Sequence, residues 1–156
     1  SPATQLRVGM ELEPKLMNKI TSDTLDIRVR YAEVDQMGAL HHSRYWVYFE
    51  MGRTELLRRQ GIRYADLEAE GILFVVARCS AEFRAPARYD DLLELHTTIT
   101  NQKTCRIDHE YKLTHTQSGL LIANATTTLA CVSSDGRLSP IPDAMRLDLS
   151  THQDPS

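Results

Sequence analysis

Asp35 follows a stretch of alternating apolar residues and stands seven residues before His42, where a long proline-free run begins, with Gly38 between them. A carboxylate on a tight loop in front of a helix can do one particular kind of chemistry. The first backbone N–H groups of a helix have no intrahelical partner. Together with the positive end of the helix dipole they can hold a developing oxyanion. A carbonyl placed between loop and helix would be polarised on its oxygen, and Asp35 could attack its carbon or activate a water to do so. Gly38 supplies the permissive backbone that lets such a loop turn back on itself. The same spacing has a plainer use, because acidic residues ahead of helices are mostly caps or dipole partners. Spacing alone leaves both readings open.

Neighbouring residues extend the candidate site. His42 could steady a reacting carbonyl, or it could cap the helix through its backbone alone. His41 is expected at the rim, and Gly38, His41 and Tyr45 are expected to meet the substrate. Glu50 lies eight residues beyond His42 on a helix expected to be buried, which makes it the rival carboxylate. Its plainer reading is a structural acid held by hydrogen bonds or by Arg53 at i+3. His41, His42, His96, His109 and His115 show no HxxxH or HExxH spacing, so no metal and no cofactor are expected. Arg84, Arg88, Lys103 and Arg106 suit phosphate groups, or are simply solvated strand-end charges.

The elements that must position these residues follow from periodicity. Leu25, Ile27, Val29 and Tyr31 alternate with Asp26, Arg28 and Arg30, which predicts a strand with one buried face. Residues 43–60 read as a helix whose first half is apolar nearly all round, the pattern of a helix wrapped by other elements. Gly61 is placed to end it. A short helix is expected over 64–70, and β-rich runs over 72–84, 92–102, 106–116 and 120–133. Tight turns at 117–119 and 134–136 make neighbouring strands antiparallel. One helix against one antiparallel sheet is an α+β layer, and a helix apolar all round requires the sheet to curl about it. That description is the hotdog fold.

Length and composition limit the function classes. At 156 residues the chain suits one domain, expected over 23–150, with an N-terminal extension over 1–22 and a tail over 151–156. The net charge of −3 argues against a general nucleic-acid binder, which needs a basic surface. The longest apolar run, 72–77, is far too short for a membrane span. Three scattered cysteines without a CxxC pair fit a reducing compartment, so a cytoplasmic protein is expected.

The stretch YAEVDQMGALHHSRYWVYFEMGR resembles the 4-hydroxybenzoyl-CoA thioesterase family, and within it the Tol-Pal-associated acyl-CoA thioesterases. Tyr31, Asp35, Gly38, His42, Tyr45, Phe49, Glu50 and Arg53 match that family's strand-loop-helix pattern, and Phe83, Pro86, Tyr89 and Asp91 match a second segment. The likeness runs over about residues 25–145. It implies hydrolysis of a small or medium acyl-CoA, with Asp35 as the catalytic carboxylate and the backbone N–H near His42 polarising the thioester carbonyl. It also implies a homodimer or homotetramer with the site where two subunits meet. Val34 stands where threonine is usual, and Leu40 and His41 replace valine and tyrosine. These departures bear on substrate more than on reaction type. Two alternatives stay open: a non-catalytic acyl-CoA-binding domain, and a dehydratase of 3-hydroxyacyl thioesters that would pair His42 with an Asp.

Overall fold

The computed structural model describes residues 20–147 and 149. Five strands form one antiparallel sheet: β1 (Ser22–Arg28), β2 (Ile72–Phe83), β3 (Leu92–Gln102), β4 (Arg106–His115) and β5 (Leu121–Ser133), in the order β1-β3-β4-β5-β2. The long helix α1 (His42–Arg59) lies across the inner face, and the short helix α2 (Tyr64–Ala69) leads into β2. This is the hotdog arrangement that the sequence implies. The expected extension over 1–22 and the tail lie almost wholly outside the described residues, although Ser22 already belongs to β1.

The face of α1 that meets the sheet is the one its spacing picks out. Tyr45, Tyr48, Phe49, Gly52, Leu56 and Leu57 are buried; Tyr45, Tyr48 and Phe49 cluster with Leu93, Leu95, Tyr111, Leu113, Ala123 and Ala125 of the strands, and Leu56 and Leu57 with Ile99, Ile107 and Cys131. Glycine in a helix costs about 1 kcal/mol against alanine, and here close packing explains it. A Cβ on Gly52 would lie 2.4 Å from Thr97 Oγ1 and 2.6 Å from Leu95 Cδ2. The helix ends in a Schellman motif, with Gly61 at φ 84°, its N–H donating to Arg58 O and the Ile62 N–H to Leu57 O.

Three sequence expectations need correction. The first strand stops at Arg28, and Tyr31 enters a 3-10 turn (Tyr31–Glu33) with its ring 77% exposed. The helix is not wrapped all round: Val47, Glu50 and Met51 face outward and are exposed, because a single sheet covers one side of a helix only. Glu50 is therefore not a buried carboxylate, and no ion pair joins it to Arg53 among the described residues. The third concerns β2, expected as an ordinary strand. It is an edge strand paired only with β5, and most of its twelve residues are exposed on both faces. A register shift between Val76 and Arg78 divides it. Ile72, Phe74 and Val76 point inward before the shift, and Cys79, Ala81 and Phe83 after it.

Candidate active site

The chain between β1 and α1 is pinned at both ends. Glu33 is 3% exposed, yet it is well satisfied: it accepts from the Arg30 N–H at 2.8 Å and from the Tyr48 hydroxyl at 2.8 Å, with the Arg30 guanidinium at 3.4 Å. Burial alone would raise its carboxyl. The Arg30 N–H, the Tyr48 hydroxyl and the Arg30 charge outweigh that and hold it below the usual range. Burial, and then the bond to Glu33, push the Tyr48 phenol well above its ordinary value. The His41 N–H donates to Glu33 O at 3.0 Å, so the start of the helix is tied to this anchor.

Asp35 opens a tight loop between the bridged residues Val34 and Leu40. Its N–H donates to Ala39 O, and its carbonyl accepts from the Gly38 N–H, with Gly38 at φ 82°. That left-handed turn requires glycine. Asp35 Oδ1 accepts from the Met37 and Ala39 N–H groups at 2.9 and 3.1 Å, which fixes the carboxylate. The other oxygen, Oδ2, has no partner among the described residues, and the side chain is exposed. A second loop supports the first. Leu40 N–H donates to Ala87 O, Ala39 bridges Arg88, and Asp91 Oδ2 accepts from the Arg88 N–H. The Pro86-to-Asp91 segment picked out in the sequence is thus the scaffold beneath the Asp35 loop.

The helix start assigns the histidines differently from expectation. His41 is the cap rather than a bare rim residue: its Nδ1 accepts from the Ser43 N–H at 3.2 Å. The Arg44 N–H donates to His41 O. Ser43 and Arg44 are therefore satisfied, and among the described residues the His42 N–H has no partner. It is the unspent donor at the positive end of an 18-residue helix. The exposed His42 ring lies 6.0 Å from Phe83, and Tyr45 makes an edge contact with the same ring at 4.8 Å. Tyr45 itself is buried; burial raises its phenol, partly offset by the Ala87 N–H.

The expected phosphate-binding residues divide. Arg88 sits over Gly38, while Arg84 is paired with Glu82 at 2.7 Å. Lys103 and Arg106 form the turn at the opposite end of β3, about 33 Å away at the usual rise per strand residue. They cannot act on the same nucleotide as Arg88 within one chain. No group of three or more His, Cys, Asp and Glu converges among the described residues.

Residues 29–149 match the family model described as the thioesterase-like superfamily. The chain belongs to that superfamily. It is 34% identical over 110 residues to a protein of Bacillus subtilis named as the putative acyl-CoA thioesterase YneP, covering 70% of this chain and 79% of the relative. It is 34% identical over 106 residues to the acyl-CoA thioester hydrolase YbgC of Escherichia coli, covering 68% and 78%. The solved structure of a hypothetical protein from Thermus thermophilus superposes with a TM-score of 0.73 at 36% identity, over 78% of this chain and 92% of that one.

Proposed function

We propose that the protein hydrolyses acyl-CoA thioesters, giving a free acid and CoA, at the junction of the Asp35 loop and α1. The observation that carries this reading is the unspent His42 N–H, left free where its neighbours are all satisfied. In the reaction, water oxygen bonds to the thioester carbon and Asp35 takes up its proton. The carbonyl oxygen becomes an oxyanion held by the His42 N–H. The tetrahedral species collapses by breaking the carbon–sulfur bond, and the departing CoA sulfur receives the proton. Direct attack by Asp35, through a mixed anhydride that water then opens, gives the same products. Gly38 and His41 shape the loop and the helix start, and the His42 ring, Tyr45 and Phe83 supply the wall beside the thioester. The names of the bacterial relatives support acyl-CoA as the substrate. Release of free thiol from a panel of aliphatic and aromatic acyl-CoA substrates tests the reading. Turnover of at least one series is expected, and binding without release would favour the non-catalytic alternative.

The working unit is proposed to be a dimer. β2 presents an open edge with Leu73, Val75 and Val76 exposed, and an apolar edge of this length invites pairing with a second copy. Pairing about a two-fold axis would make both sites equivalent and wall them from water. Sedimentation equilibrium over a dilution series is expected to give twice the chain mass of 17.7 kDa or a multiple of that dimer. A fully active single chain would refute the dimer. Cys79, Cys105 and Cys131 are unpaired thiols, which supports a reducing, cytoplasmic setting. No helix among the described residues is long and apolar enough to cross a membrane.

A further inference from the structure

Beneath the second half of α1 lies a polar cluster that the hydrolysis does not use. His109 on β4 is 5% exposed, and its Nδ1 has no hydrogen-bond partner among the described residues. Its ring stacks at 6.1 Å on Tyr111, whose hydroxyl is bonded to Thr127 Oγ1. With Arg53, Gln60 and Tyr64, His109 lines a cavity of about 20 Å³, enough for one water-sized group. A buried polar atom left unpaired is costly, so an orphan of this kind needs an explanation. The cavity is the inner end of something larger. An open groove of about 410 Å³ adjoins it, and Arg53, Tyr64, Phe74 and Leu129 line both.

The groove also lies at one end of a path from the Asp35 site. β2 runs antiparallel to α1, with Phe83 beside His42 and Tyr45, and Phe74 beside Tyr64. Between these ends the inward positions Ala81, Cys79 and Val76 leave a strip of sheet that α1 does not cover, with Cys79 exposed and Val76 50% exposed. His42 to Arg53 is eleven residues of helix, or about 16 Å of rise. An extended acyl chain with its thioester at His42 would lie on this strip and end at the groove.

We propose that the groove receives the far end of the acyl chain and that Arg53, Tyr64 and His109 bind a hydroxyl group carried there. The proposal rests on the acyl-CoA reading of the Asp35 site. The donor set selects the group. Arg53 offers N–H donors and enters no ion pair among the described residues, Tyr64 offers a hydroxyl, and His109 offers an unused ring nitrogen. Arg53 already bonds the Tyr64 and Tyr111 side chains, but a plain methyl end would leave His109 Nδ1 unpaired. A carboxylate would meet Glu50 and Glu68, which also border the groove, two negative charges against one positive. A neutral hydroxyl can donate to the ring nitrogen and accept from the guanidinium without that repulsion.

The test compares lauroyl-CoA, its ω-hydroxy counterpart and its ω-carboxy counterpart on the full chain. The ω-hydroxy substrate is expected to have a kcat/KM at least about tenfold above lauroyl-CoA, because a site built to hydrogen-bond a hydroxyl rejects the analogue lacking it. Tyr64→Phe, which keeps the ring, is expected to lower that ratio to roughly a fifth or less. Equal rates with both substrates, an unchanged ratio in the variant, or preference for the ω-carboxy substrate would each overturn the hydroxyl subsite while leaving hydrolysis intact. Absence of turnover with every thioester would instead remove the hydrolytic reading. Calorimetry with non-hydrolysable thioether analogues of the plain and ω-hydroxy substrates then decides the groove. Equal affinity would overturn it, and tighter binding of the hydroxy analogue would support it.

Discussion

Asp35→Asn is expected to fold as the parent does and to release thiol from acyl-CoA roughly a thousandfold more slowly. The fold should survive because the bonds that set the loop do not need a charge. Oδ1 accepts from the Met37 and Ala39 N–H groups, and an asparagine carbonyl oxygen can accept both. The loop's other ties, Asp35 N–H to Ala39 O and Gly38 N–H to Asp35 O, are backbone only. What the substitution removes is the second oxygen, Oδ2, the unpartnered one. An amide in its place neither takes a proton from water nor attacks a carbonyl. The His42 N–H remains, so some acceleration over water should persist from polarisation alone. The measurement is single-turnover thiol release, with circular dichroism and a melting curve to show that the fold is intact. Near-parental rates in a folded variant would move the catalysis away from this loop. Glu50 would be a poor replacement, since it lies on the outward side of α1, about 12 Å along the helix from His42.

Much of this arrangement is legible in the sequence because it depends on local pattern. The alternation at Leu25, Ile27 and Val29, the buried stripe of α1 from Tyr45 to Leu56, and the turns that pair β4 with β5 are all set by near neighbours. So is the Asp35–Gly38 loop, since a left-handed glycine and an Asx-type turn need only a few residues. The remainder depends on partners distant in the chain. Glu33 reads as a solvent-exposed acid until Tyr48 from the helix reaches it fifteen residues on. His41 and His42 cannot be told apart as cap and donor by type, and only the bond from the Ser43 N–H to His41 Nδ1 separates them. The bare inner face of β2 is invisible because apolar content says that a strand will be covered, not whether its own chain covers it. Glu50 misleads for the matching reason: an apolar helix reads as buried all round, although part of its apolar surface faces outward at Val47 and Met51.

His109 should make the fold markedly less stable in mild acid. It sits at an inward position of β4 between Ile107 and Tyr111, where burial, and secondarily the charge of Arg53, push its pKa down to about 3 from an ordinary 6.5. Above about pH 6.5 the imidazole is neutral in both the folded and the unfolded chain and contributes no pH dependence. Below that, the unfolded chain binds a proton that the folded chain refuses. Stability is therefore lost as pH falls, by about 1.4 kcal/mol for each unit, and the loss continues until the folded-state value near 3 is reached. Glu33 adds to this only at the acid end. Its folded pKa is depressed below 4.5, so its contribution is present above that value and disappears as pH falls through the lower one. The two groups thus separate in pH, with His109 acting alone of the pair between about 6.5 and 4.5. Urea unfolding at fixed protein concentration, at about pH 7.5, 6 and 5, should show the midpoint moving steadily downward; fixed concentration matters because association also stabilises the fold. His109→Gln, which keeps a hydrogen-bonding end but cannot titrate, should be nearly flat over the same window even if it is less stable throughout. A parent chain as stable at about pH 5 as at about pH 7.5 would mean that burial does not hold His109 neutral in the folded chain.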